Sequence, residues 1–232
     1  MNLQELRGQY TDYNKRHISE RVGNDNNVME QWIIATMNHH GVEYDGLTFN
    51  NWAKCSKKDD MKNKKDLFAT VNGKEAVAQI KWRQPNSGTD IQVAVIQPFG
   101  NSSLMRDALK TAPENFPFWA RDWKFEGDLY AVLDNAWENL MIVKYGKVKS
   151  VVRKILKEWV ASGASLGPTA RCYIPDDSNL ADNGVQLRFT SDKGKRSFDS
   201  GEGKMLCYIP PKIFTGNDIT ILKMVDMPEE KN

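Results

Sequence analysis

The dipeptide Asn72-Gly73 stands between two β-prone runs, DLFATV and KEAVAQIKW, and no other feature constrains the fold of this chain as tightly. Asn and Gly both tolerate positive φ, which a two-residue type I′ turn demands at each central position, so the segment is expected to close as an antiparallel hairpin. With those two residues as the loop, Val71 faces Lys74, and counting outward sets Asp66 opposite Gln79. Side chains alternate along a strand, so Lys81 rises from the same face as Gln79. A carboxylate, an amide and an ammonium group therefore converge at one end of a hairpin whose neighbouring residues, Leu67, Phe68, Val71, Val77, Ala78 and Ile80, are apolar. Asp and Lys add nothing to the packing of such a strand. Two readings of the trio follow: a functional cluster, or an ion pair at a strand end.

The elements around the hairpin are read from periodicity and turn chemistry. Residues 2 to about 22 are polar with scattered aromatics and suggest helix. The run NDNN then supplies N-cap chemistry for a second helix, Val28 to His40, with Met29, Ile33 and Met37 on one face. Gly41 stops it, and alternating apolar residues in VEYDGLTFNNWAKCS predict one short strand before the charged loop KKDDMKNKK. After the hairpin come a strand within DIQVAVIQPF, a helix from Ser102 to Thr111, and a second hairpin, LYAVLDNAWENLMIVKY, turning at Asp134 to Ala136. An amphipathic helix from Val148 to Ser162 follows, with Val148, Val151, Val152, Ile155 and Trp159 in an apolar stripe and Lys149, Arg153, Lys154 and Lys157 away from it. Beyond Gly163 the chain turns to short strands around VQLRF, MLCYIPP and DITILKM, then to a polar tail, MPEEKN. The expected architecture is an α/β fold with a central mixed sheet flanked by helices over residues 1–162, and a β-rich C-terminal extension over 163–232.

With 232 residues, 40% of them hydrophobic, the chain can bury a substantial core. Its net charge of +2 is too small to announce a nucleic-acid partner, so only local charge carries weight. Cys55, Cys172 and Cys207 are far apart with no CxxC spacing, which argues against a zinc site and a disulfide framework. No apolar run has the length of a signal peptide or membrane span, so a soluble protein with no membrane partner is expected, in the cytoplasm. The mixture of short segments is like that of phage-encoded proteins, for which the compartment is the host cytoplasm.

The cluster suits phosphodiester hydrolysis. That reaction needs oxygen ligands for a hard cation and a positive group to position the nucleophile or to stabilise developing negative charge. Asp66 followed by Gln79-Ile80-Lys81 resembles the PD-(D/E)XK nuclease superfamily, in which an Asp on one strand precedes (D/E)xK on the next, and AVAQIKWR is similar to the QxK form of Mrr-type restriction enzymes. The resemblance covers about residues 28 to 100 in order of elements and is specific at the hairpin. It implies a restriction endonuclease-like core and a Mg²⁺-dependent endonuclease acting on DNA, with Mn²⁺ as a substitute. Asp66 and Gln79 would be metal ligands and Lys81 the catalytic cation. It also implies an added acid from the preceding helix, a place matched by Glu30. Gln79 departs from the acidic pattern and removes one negative charge from the metal's ligands. A homodimer is compatible with such an enzyme. The rival, from another class, is a non-catalytic nucleic-acid-binding or assembly protein on the same fold.

Other residues carry paired readings. Lys57, Lys58, Lys62, Lys64 and Lys65 would contact phosphates next to the hairpin, although Asp59 and Asp60 dilute the charge and a solvated loop explains them as well. Arg83 follows Lys81 and Trp82 and would line a nucleic-acid channel, while Trp82 also suits the core. Glu30, a helical acid with apolar neighbours, is equally a solvated surface acid. His39 and His40 are explained by favourable interaction with a helix C-terminus. The interleaved Trp and Arg of FWARDWKF, residues 118 to 125, suit a stacking platform or a buried aromatic cluster.

Overall fold

Asn72 and Gly73 adopt φ of 52° and 76°, the pair of positive values that a type I′ turn requires, and the two runs beside them close into an antiparallel hairpin. The computed structural model describes residues 24–56, 65–83, 88, 90–96, 127–162, 172–191 and 203–226. The helices expected at 2 to 22 and from Ser102 to Thr111, the segment 118–125, most of the charged loop and the polar tail lie outside the described residues.

In chain order, helix α1 (Asn24–His40) leads to strands β1 (Val42–Tyr44), β2 (Leu47–Phe49), β3 (Ala53–Lys54), β4 (Leu67–Val71), β5 (Lys74–Trp82), β6 (Ile91–Ile96), β7 (Leu129–Leu133) and β8 (Asn139–Lys144). Helix α2 (Tyr145–Ala161), β9 (Cys172–Tyr173), α3 (Ser178–Asp182), β10 (Gln186–Ser191), β11 (Gly203–Ile209) and β12 (Ile219–Lys223) complete the described elements. The protein is mixed α/β with a multi-strand mixed sheet. Among the described residues no helix is long and apolar enough to cross a membrane.

These elements form two compact units that do not part at residue 163. The first holds α1, β1 to β5, β7, β8 and β12; the second holds β6, nearly all of α2, β9, α3, β10 and β11. Each unit draws on separate stretches of the chain because strand pairing is non-local: β6 pairs with β11 in the second unit, and β12 pairs with β8 in the first.

The first unit is built on a six-stranded sheet in the order β12-β8-β7-β5-β4-β3. Its strands are antiparallel except β5 and β7, which run parallel with Gln79 beside Tyr130 and Lys81 beside Val132. Ala76, Ala78 and Ile80 of β5, with Leu129, Ala131 and Leu133 of β7, belong to one buried cluster with Met29, Trp32, Ile33 and Met37 of α1. By alternation, Val77, Gln79, Lys81 and Tyr130 belong to the opposite face. Among the described residues helix α1 already runs from Asn24, ahead of the start expected at Val28. Four consecutive residues, Asn24 to Asn27, all have cap-type side chains, so composition alone does not single out the start. The segment after it forms three short strands instead of the single one expected: Asp45 and Gly46 take φ of 49° and 74° and fold β1 onto β2, and β3 pairs with β4.

Helix α1 also covers part of the β12 edge. His40 Nε2 donates to Lys223 O at 2.8 Å, and Trp32 Nε1 donates to Val225 O at 2.7 Å. An uncovered edge strand is a template for unwanted pairing, and these two side chains occupy carbonyls that another strand would otherwise take.

At the start of β7, Asp128 Oδ2 accepts the Val77 N–H at 2.8 Å and Oδ1 accepts the Tyr44 hydroxyl at 3.0 Å. Burial first, and then the charge and hydrogen bond of Asp128, push the Tyr44 hydroxyl up to about 12. An unfolded tyrosine ionises near 10. The folded state therefore keeps the proton longer, and the stability this contributes is complete below pH 10 and disappears as pH rises toward 12. Thermal melts across this window are expected to fall less steeply for Tyr44→Phe than for the wild type; equal slopes would contradict the assignment.

Candidate active site

The hairpin ladder runs as expected from Val71 opposite Lys74 to Leu67 opposite Ala78, and then stops. At Asp66 the N–H reaches Ala78 O at 3.2 Å, so the residue does not sit squarely opposite Gln79. Its carboxylate Oδ2 instead accepts the Ile80 N–H at 2.8 Å. In a continued ladder that N–H would go to the Lys65 carbonyl. Asp66 therefore ends β4 by substituting a side-chain oxygen for a backbone one, and this anchors the carboxylate at the strand end.

Lys81 comes to the same oxygen. Its Nζ lies 3.4 Å from Asp66 Oδ2 and donates to the Ile80 carbonyl at 2.8 Å. The carboxylate is 18% exposed and the ammonium-bearing side chain 48%, so the pair opens to solvent on the lysine side. Among the described residues, Oδ1 of Asp66 accepts no hydrogen bond. Gln79 is half-buried, two residues before Lys81 on β5 and so on the same face. The arrangement brings Asp66 and Lys81 into contact and places Gln79 beside them by parity.

Glu30 is engaged elsewhere. Its Oε2 forms an ion pair with Lys54 Nζ, whose residue sits opposite Leu67, a member of the cluster packed on α1. The structure thus places Glu30 with Lys54 on the α1 side of the sheet, while Lys81 belongs to the other face. Lys65 is half-buried directly before Asp66. Arg83 continues the parallel ladder, donating its N–H to Leu133 O at 3.0 Å, and its Nε donates to Gly88 O at 3.0 Å. Lys57, Lys58, Lys62 and Lys64 lie outside the described residues.

Sequence reasoning missed Tyr130. It is buried, lies beside Gln79 in the parallel ladder, and stacks on Tyr145 with ring centroids 5.7 Å apart and planes 19° from parallel. Burial first and then the negative charge of Asp66 push its hydroxyl ionisation well above the usual range, and the Arg83 charge pulls the other way. Tyr130 therefore stays neutral beside the site. The hairpin of β7 and β8 was readable, but the parallel pairing that brings Tyr130 to Gln79 was not.

The donor set suits a hard divalent cation. An anchored carboxylate with an oxygen uncommitted among the described residues and a neighbouring amide are oxygen donors of the kind Mg²⁺ takes, in sites where water and substrate phosphate complete the coordination. No family model, curated protein or solved structure matches this chain.

Proposed function

We propose that the Asp66–Gln79–Lys81 face is the active site of a Mg²⁺-dependent deoxyribonuclease that hydrolyses phosphodiester bonds, with Mn²⁺ able to replace Mg²⁺. The observation that carries this reading is the Lys81 ammonium 3.4 Å from the anchored Asp66 carboxylate, on the face where Gln79 stands. The sheet supports it as well. After α1, strands β3, β4 and β5 run antiparallel and β7 lies parallel to β5, a mixed sheet of the kind expected of a restriction endonuclease-like core.

Asp66 and Gln79 would hold the metal through oxygen, and the bound ion supplies polarisation of the phosphate and acidification of water. Lys81 supplies positive charge where negative charge builds up on the phosphate oxygens. The hydrogen bond from the Ile80 N–H holds Asp66 in place before substrate arrives, so little reorganisation remains for the chemical step. Lys65 and Arg83 flank the site in sequence and offer charge to the DNA backbone. Supercoiled plasmid incubated with the protein and Mg²⁺ or Mn²⁺ is expected to become nicked, and a chelator is expected to stop it.

One observation favours a second reading. Because Asp66 replaces a backbone acceptor for the Ile80 N–H, it has a structural role that needs no metal. On that reading the chain is a nucleic-acid-binding or assembly protein without catalysis, and plasmid stays supercoiled with either metal.

A further inference from the structure

The second unit carries a polar cluster on its four-stranded antiparallel sheet, ordered β6-β11-β10-β9. Tyr208 of β11 pairs with Gln92 of β6 on one side and Gln186 of β10 on the other, forming a Gln-Tyr-Gln row across three strands. Two residues along β10, Arg188 lays its guanidinium over the Tyr208 ring, 4.5 Å from the centroid. Gln186 Oε1 fixes the arginine by accepting its Nε–H at 3.1 Å, and accepts the Cys172 S–H at 3.0 Å. Arg188 and Cys172 are exposed, and among the described residues neither the Arg188 Nη groups nor Gln186 Nε2 has an acceptor. Ile174, two residues beyond Cys172, is 63% exposed.

A flexible arginine on a surface is normally solvated and free to rotate. Here the guanidinium is held over an aromatic ring and, at its Nε, by an amide oxygen, which lowers the entropy cost of using it. Arg188 is thus exposed and already positioned, with its Nη donors uncommitted among the described residues. A planar guanidinium stacks on nucleobases, and its fork donates to phosphate oxygens, a combination that single-stranded nucleic acid satisfies and a paired duplex, with its bases stacked inside, does not. We infer that the Arg188–Tyr208–Gln186 cluster is a binding site for an unpaired nucleotide of a nucleic-acid strand. The inference rests on the nucleic-acid substrate of the proposed function, and not on its metal.

The test is fluorescence anisotropy with labelled oligo-dT, oligo-U and a duplex, in the presence of a chelator so that cleavage plays no part. The protein is expected to prefer a single strand to the duplex; the dT and U arms distinguish DNA from RNA as the source, and Arg188-dependent binding of either supports the site. Arg188→Ala is expected to weaken that binding about tenfold, the loss of one stacked base. Arg188→Lys keeps the charge but not the plane, and is expected to lose nearly as much. A polyglutamate peptide, which offers carboxylates without bases, is expected not to compete. Arg188 is exposed, and unchanged melting temperatures will verify that the variants are folded. Full affinity in Arg188→Ala, full affinity in Arg188→Lys, or duplex bound as well as single strand overturns the inference. Plasmid nicking without single-strand binding overturns this site and leaves the nuclease standing; Arg188-dependent binding without nicking does the reverse.

Discussion

Replacing Lys81 with alanine is expected to lower metal-dependent DNA cleavage by about 10²-fold or more while leaving DNA affinity almost unchanged. The lysine's ammonium, 3.4 Å from Asp66 Oδ2, is the positive group that Asp66 and the Ile80 carbonyl hold at the site. Positive charge aimed at a phosphate acts mainly as negative charge builds up in the transition state, so its loss falls on the rate and not on ground-state binding. DNA affinity comes from many phosphate contacts, of which Lys81 is at most one. Neutralising Lys57, Lys58, Lys62, Lys64 and Lys65 together is expected to do the opposite, weakening binding and flattening its salt dependence. Nicking rates and equilibrium binding of the same variants across a salt series separate the two effects. A Lys81→Ala protein that nicks as fast as wild type removes the lysine from the chemistry.

Trp137→Ala is expected to destabilise the fold by about 3–5 kcal/mol, the largest stability loss foreseen for a single residue of the first unit. Trp137 is 1% exposed, belongs to the cluster packed on α1, and donates its Nε1–H to Arg83 O at 2.7 Å. It sits in the turn between β7 and β8 at φ of 60°, a conformation that a bulky side chain rarely adopts. That backbone cost is sustained by the cavity the indole fills and by the carbonyl it satisfies, one residue past the end of β5. Removing the ring leaves the void and breaks the bond to the Arg83 carbonyl. Urea unfolding measures the difference, and a loss below about 1 kcal/mol would show that the turn collapses to fill the space.

The hairpin was legible because its signature is local: two adjacent residues that accept positive φ fix a register over the residues beside them. The same logic applied to Asp45-Gly46, an equally good type I′ pair, yet the short runs around it read as one strand, since three residues on each side carry too little alternation to announce themselves. Asp66 and Lys81 were expected to come together, and they do. What the register count did not contain is the break at Asp66, where a side-chain oxygen takes over the Ile80 N–H, because the count assumes a ladder that continues. Glu30 was matched to the site by order along the chain alone; which side of the sheet a helix covers is a tertiary fact, and Lys54 is the residue that meets it. Asp128 gave no signal at all, since nothing near it marks an isolated acid before a strand as a bracket for another strand's N–H. The division into two units was hidden for a similar reason, because β6–β11 and β8–β12 pair residues from distant parts of the chain.

Asp66→Asn separates the two roles of the residue, strand anchor and metal ligand. Asparagine retains a side-chain oxygen able to accept the Ile80 N–H, so the end of β4 and the melting temperature should be preserved. It removes the negative charge that a hard cation requires. Wild type and Asp66→Asn are compared in a plasmid-nicking assay with Mg²⁺, with Mn²⁺ and with chelator. Wild type is expected to nick with either metal and not with chelator, and a normally folded Asp66→Asn protein is expected to lose about 10²-fold or more. Equal nicking by the two proteins, or intact plasmid from wild type under every condition, would contradict this expectation.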